Sequence, residues 1–224
     1  MKVGLFGAGK VGVALAERAL EAGHEVRVVG SPRQDSLMLE LIVETVAPGA
    51  EAVAAARGAD VVAWADVVLL AVPLSRSGDL PYAALDGKVV VDLMNHWEPV
   101  DGPMPELAGL GTSEVVARRN PRARWVKSLN HLGYHDVETD ARPAGAADRR
   151  AVGVATDDPE AGAVVAQLVD SLGFDPVDLG GLTAGRFLEA GGPVFGAFLT
   201  AAELAARAAE AGAPVREAVD EAAA

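Results

Sequence analysis

The sequence has 224 residues, half of them hydrophobic, enough for one large domain or one domain with a small appendage. Its 32 acidic and 19 basic residues leave a formal net charge of −13, which argues against a generic binder of nucleic acid or of an anionic membrane surface. With no cysteine, disulfides, thiolate nucleophiles, iron–sulfur clusters and cysteine-based zinc sites are excluded.

The first thirty residues are the most informative. Residues 3–6 form a short apolar run, too short for a secretory signal and suited to a buried parallel strand. A glycine-rich turn follows at residues 7–12, then helical composition over 13–22, a helix-ending Gly23, and a second strand over 25–29. This is a βαβ unit in its shortest form. Further along, residues 37–46 read as helix, 50–55 as a weak strand, 60–65 as a short helix and 66–72 as a buried strand ended by Pro73. Residues 81–85 predict a turn of helix, and 88–92 and 124–128 two more strands. Residues 130–150 read as a polar loop. A strand is expected over 151–155, a helix from Pro159 to the Leu172-Gly173 pair, and a last strand over 175–179. Residues 183–211 are Ala-rich and helical in pattern, broken at Gly191-Gly192-Pro193, and the chain is expected to fray after about Pro214. No apolar run approaches the ~20 residues of a membrane span. Strands alternating with helices predict an α/β fold, a Rossmann-type doubly wound parallel sheet over residues 1–182. A smaller helical C-terminal part, residues 183–224, is expected to pack on it and could form a dimer interface.

Gly7-Ala8-Gly9-Lys10-Val11-Gly12 has the G-x-G-x-x-G spacing in the required context, after a strand and opening a helix. Gly7 permits the tight turn, Gly9 lets a pyrophosphate approach the backbone, and Gly12 lets the helix pack close to the sheet. A dinucleotide is therefore expected on these N–H groups. The bland alternative is a βα turn without ligand. Where an NAD enzyme places a carboxylate for the ribose hydroxyls, this chain has Val29-Gly30-Ser31-Pro32-Arg33, with no carboxylate before Asp35. Ser31 offers a hydroxyl and Arg33 a planar cation for a phosphate, which favours NADP over NAD. Arg33 could otherwise be an ordinary surface arginine.

Together with that turn, Gly30-Ser31 with Arg33, Ala71-Val72-Pro73 and the strand ending at Asp92 resemble the NADP-dependent coenzyme F420 reductase family, whose first half is related to pyrroline-5-carboxylate reductase. Asp157-Asp158-Pro159-Glu160, the segment from Leu172 to Asp178 and that from Gly181 to Glu189 are also similar to it, so the resemblance covers most of the chain. The resemblance implies an NADP site at Gly7, Ala8, Gly9, Lys10, Val11, Gly12, Ser31, Arg33, Ala71, Val72 and Pro73. It also implies hydride transfer between nicotinamide and a deazaflavin, coenzyme F420, and a homodimer. Such a transfer needs apposition of two carriers more than acid–base groups. Residues 130–136, with the loop to Arg150, and Asn95-His96-Trp97 depart from the family's pattern, and both bear on the second substrate.

Those two segments hold three of the four histidines, His96, His131 and His135. His96 or His131 could be a general acid for an imine or carbonyl substrate, or either could be a surface or positioning group. Lys127 and Asn130, at a strand end, could orient a nicotinamide or a substrate carbonyl. Asp92 reads as a loop anchor rather than a base. His131 and His135 are four apart, a metal-ligand spacing only on a helix, and Gly133 argues against one, so no metal is expected. The chain is thus expected to be a cytoplasmic NADP(H)-dependent oxidoreductase passing hydride to a deazaflavin coenzyme. The alternatives are an imine or carbonyl reductase and a non-catalytic NADP-binding redox sensor. A small molecule is the expected partner, not nucleic acid or a membrane.

Overall fold

The computed structural model describes residues 1–213. Among these, eight strands form one sheet in the order β3-β2-β1-β4-β5-β6-β7-β8. The strands are β1 (Lys2–Phe6), β2 (Glu25–Val29), β3 (Glu51–Val53), β4 (Val67–Leu70), β5 (Val89–Asp92), β6 (Arg124–Ser128), β7 (Ala151–Ala155) and β8 (Asp175–Asp178). The helices are α1 (Lys10–Glu21), α2 (Ser36–Val46), α3 (Gly58–Trp64), α4 (Glu98–Asp101), α5 (Thr112–Ala117), α6 (Tyr134–Thr139), α7 (Pro159–Ser171) and α8 (Ala201–Glu210).

The strand sequences dictate a two-faced sheet. Val67, Leu69, Val89 and Val91 join the core under α1, α2 and α7, while their alternates Val68, Leu70 and Val90 join a second core under α3 and α5. Strands buried on both faces carry continuous apolar runs, which is why β4 and β5 read so clearly. The order reverses between β1 and β4, and a doubly wound sheet opens its ligand crevice at that switch point.

Three expectations are corrected. The sheet is not wholly parallel: β7 runs antiparallel to β6, with Lys127 opposite Ala155 and Ser128 opposite Val154. The chain leaves β6 and enters β7 at the same end of the sheet, making no crossover. Residues 130–150 are not all loop, because 134–139 form α6. There the Asp136 carboxylate accepts the Gly133 N–H at 2.8 Å, and Arg150 bridges Asp136 and Asp140. Residues 183–211 are not one broken helix. A 3-10 segment, Leu182–Leu188, gives way to irregular chain with Gly191 and Gly196 at positive φ, and α8 starts only at Ala201, capped by Thr200. Leu188, Val194, Leu204 and Ala208 from this part form a third core with Val177 and Leu179. The expected fraying after Pro214 lies outside the described residues. Among the described residues, no helix is long and apolar enough to cross a membrane.

Candidate functional site

The glycine turn occupies the switch point, and each glycine meets a different constraint. Gly7 has φ +117°, and a Cβ there would lie 2.3 Å from the Ala71 carbonyl oxygen. A Cβ on Gly12 would lie 1.9 Å from the Gly7 carbonyl oxygen, so only glycine lets α1 nest against the turn. Gly9, the N-cap of α1, is the opposite case, since its Cβ would meet no atom of the described residues within 4 Å. That open cradle, facing the uncapped N–H groups and positive end of a twelve-residue helix, has the shape and sign for a pyrophosphate.

On one side of the turn lies a cleft of about 350 Å³, between the residues after β2 and those after β4. Gly7, Ala8, Gly9, Ser31, Arg33, Ala71, Val72 and Pro73 all line it. The loop after β2 is locally fixed: Ser31 Oγ accepts the Arg33 N–H, and Gln34 Oε1 accepts the Ser31 N–H. Asp35 is turned away from the cleft to cap α2, accepting N–H groups of Leu37 and Met38. The opposite wall brings a second cation, Arg76, from the 3-10 segment Leu74–Asp79. Neither Arg33 nor Arg76 is ion-paired with a carboxylate among the described residues. Two guanidinium groups with hydrogen-bonding capacity to spare suit a phosphate. Sequence reading missed Arg76, although a cation three residues beyond Pro73 was visible.

On the other side, a second cavity of about 490 Å³ shares Gly9, Ala71, Val72 and Pro73 with the first and adds Lys10 and Val11. The strand ends supply its floor, with Met94 and Asn95 after β5 and Leu129 and Asn130 after β6. Leu129 is fully buried at φ +62°, a left-handed conformation that costs a leucine roughly 1–2 kcal/mol. The next residue, Asn130, donates Nδ2 to Asn95 Oδ1 at 3.0 Å and to the Leu188 carbonyl at 2.7 Å. Its buried Oδ1 meets no donor among the described residues. Trp97 and Phe195, in edge-to-face contact with centroids 5.6 Å apart, form one wall. Tyr134 forms another, with the Lys10 ammonium 4.8 Å from its ring centre.

Of the four side chains singled out for chemistry, only Asn130 lines this cleft. Lys127 is fully buried beneath it. Its ammonium donates to the Met94 carbonyl and, at 2.9 Å, to Thr112 Oγ1, and lies 3.4 Å from Asp92 Oδ2. Asp92 also accepts the Met94 N–H and the Ser113 hydroxyl. Lys127 and Asp92 together therefore hold the floor rather than face a ligand. His96 is half-buried and does not line the cleft, donating Nε2–H to the Gly102 carbonyl at 2.8 Å. His131 is fully buried, and its ring nitrogens have no side-chain partner among the described residues. Burial, then the Arg150 and Lys127 charges, push its pKa down to about 3, so the ring is neutral at physiological pH. His135, though on α6, is exposed and 3.8 Å from Glu138, so the two histidines do not converge. Among the described residues no cluster of three metal-ligating side chains forms.

Comparison with known proteins adds the following. The family described as "NADP oxidoreductase coenzyme F420-dependent" matches residues 2–96. A hypothetical protein from Sinorhizobium meliloti shares 29% identity, with 89% of this chain and 95% of that one covered, at a TM-score of 0.76. A "putative F420 dependent NADP-reductase" from Arthrobacter sp. FB24 shares 30% identity over 83% of this chain and 87% of that one, at a TM-score of 0.68. An imine reductase from Myxococcus stipitatus, 16% identical, matches at a TM-score of 0.59 over 84% of this chain but only 57% of its own, and supports the fold alone. No curated protein matches the sequence.

Proposed function

The chain belongs to the family of coenzyme F420-dependent NADP oxidoreductases, and we propose that it passes hydride between NADP(H) and a deazaflavin in the cleft at the switch point between β1 and β4. The carrying observation is the junction of two unlike cavities at Gly9, Ala71, Val72 and Pro73. One side offers backbone N–H groups and two arginines, the other flat apolar walls.

In this reading the N-terminus of α1 holds the pyrophosphate, and Arg33 and Arg76 grip the adenosine 2′-phosphate from opposite walls. Asn130, fixed by its bonds to Asn95 and Leu188, closes the floor of the cavity beneath the nicotinamide. Bound NADPH supplies the hydride. Trp97 and Phe195 keep water from the acceptor and hold a planar ring against the nicotinamide. The hydride step itself is governed by apposition of the two rings, and Lys127 and His131 are buried away from the cleft.

Mixing the protein with NADPH and oxidised F420 tests the reading. Loss of the deazaflavin absorbance in step with NADPH oxidation supports it. Unchanged absorbance at high protein concentration refutes it. The second reading, reduction of a small imine or carbonyl compound, is favoured by the Tyr134 hydroxyl on the acceptor side, and NADPH consumption with such compounds alone would select it.

A further inference from the structure

We infer that Tyr134 is the proton donor of the acceptor cavity and that Lys10 recharges it. Tyr134 takes this role only if the cleft transfers hydride, so the role rests on that reading. Hydride addition to a neutral C=N or C=O system leaves a negative charge at its far end. In an apolar cavity that charge is costly unless a proton arrives with it.

Among the described residues, three side chains of this cavity can carry a proton: Lys10, Asp101 and Tyr134. Asp101 has none to give. Partial burial alone would raise its pKa, but the N–H groups of Ser75 and Trp97, which it accepts, outweigh that and hold it below the ordinary carboxylate value. Lys10 is the exposed first residue of α1, turned between the phosphate-binding turn and the acceptor. Tyr134 is half-buried at the start of α6, and its ring is packed against His135. The Lys10 ammonium donates to its hydroxyl at 3.5 Å, which leaves the phenol proton itself free to donate. The other tyrosine, Tyr82, lies on the opposite face of the sheet, bonded to Arg119 and packed on Trp125. The histidines and Lys127 do not line the cavity.

The step balances as follows. A hydrogen with its electron pair moves from C4 of the dihydronicotinamide to the acceptor carbon. The π electrons of the acceptor shift to its nitrogen or oxygen. The Tyr134 O–H bond breaks as the new N–H or O–H bond forms. Lys10 returns a proton to the phenolate and takes one from solvent. The sum is NADPH, one proton and oxidised acceptor giving NADP+ and reduced acceptor, and the reverse direction uses the same groups.

The test compares Tyr134→Phe with the unaltered protein on NADPH and oxidised deazaflavin. We expect kcat to fall about 100-fold with NADPH affinity, read by fluorescence, kept within about twofold. The variant should also lose the absorbance shift that a hydrogen bond gives oxidised deazaflavin in its dead-end complex with NADP+. Equal rates in the two proteins overturn the role of Tyr134 and leave the deazaflavin reading standing. If the unaltered protein does not reduce deazaflavin, that reading fails, and the same pair is compared on a cyclic imine. There a loss of about 100-fold supports Tyr134, while equal rates, or no turnover by either protein, overturn it. For Lys10→Met the rate should depend on the concentration of a small buffer acid, which replaces the missing ammonium, and a buffer-independent rate overturns the part given to Lys10.

Discussion

The two sides of the cleft are made from different materials. The phosphate side is built around main chain: six consecutive residues hold all three glycines of the turn, and the surrounding loops add Ser31, Arg33, Arg76 and Asp79 with a few apolar side chains. The acceptor side is assembled from side chains on the turn after β1, on the ends of β5 and β6, and on the C-terminal loop that carries Phe195. Beneath it lie the buried charges of Lys127 and Arg150 and the left-handed Leu129. A site of backbone depends on a few close approaches and has almost no room to change. A site of side chains tolerates changes of size but depends on the burial that fixes each group.

Glycine substitutions separate the two sides most sharply. Gly12→Ala sets a Cβ 1.9 Å from the Gly7 carbonyl oxygen, so the turn or α1 has to move. We expect a loss of about 3 kcal/mol in urea unfolding, the upper part of the range for overpacking, with NADPH binding lost as well. Gly133→Ala on the acceptor side meets only the tip of Asp136, at 3.3 Å, and Gly133 has φ −76°. Its unfolding midpoint should hardly change. Equal losses in the two variants would erase the distinction between the sides.

The same difference governed what the sequence could disclose. The strands from β1 to β6, the turn and the Ser31–Arg33 feature were legible because each depends on neighbours along the chain. Gly7, Gly9 and Gly12 announce their geometry by spacing alone, although the close approach that fixes Gly7 comes from Ala71. Strand direction is not written in a hydrophobic run, so nothing marked β7 as antiparallel. α6 was missed although its Gly133–Asp136 hydrogen bond is local, because the helix is only six residues long and its outer charges are gathered by Arg150 from beyond it. Lys127 and His131 looked like chemistry because their residue types permit it. Their fate was decided by partners or burial contributed by β5, α5 and β7. Trp97 and Phe195, nearly a hundred residues apart in sequence, could be paired only by the fold.

Acidification should act on the acceptor side first. His131 has its pKa lowered from 6.5 to about 3 by burial, then by Arg150 and Lys127. Between those values the unfolded chain binds a proton at this ring and the folded chain does not. Stability therefore rises with pH across the window and is lost on acidification through it. From pH 7 to pH 5 the loss from this group is on the order of 2 kcal/mol. His131→Leu should flatten that part of the pH dependence in urea titrations. An unchanged pH profile would mean that the ring is solvated enough to protonate in the folded state.

Charge removal on the phosphate side should be smaller and selective. Arg33→Ala and Arg76→Ala should each weaken NADPH about tenfold, the low end for a charged hydrogen bond, and leave NADH nearly unchanged. Fluorescence titration with both nucleotides decides it. Equal losses for NADPH and NADH would show that the arginine in question reads something other than the 2′-phosphate. A loss confined to Arg33→Ala would reduce the grip to one wall.

Trp97→Ala should give the smallest effect and isolate the acceptor side. Trp97 is about half exposed, at 49%, and its ring meets Phe195 edge-on across the cavity mouth. Because so much of the ring already faces water, its removal should cost the fold little. An aromatic pair contributes about 0.5–1.5 kcal/mol, so the KM for the acceptor should rise several-fold while the Kd for NADPH stays the same. The two constants can be read on one preparation, by steady-state kinetics and by fluorescence. Parallel changes in both would mean that the mouth residues also order the nicotinamide, and that the two sides meet through side chains as well as through the backbone at Gly9 and Ala71.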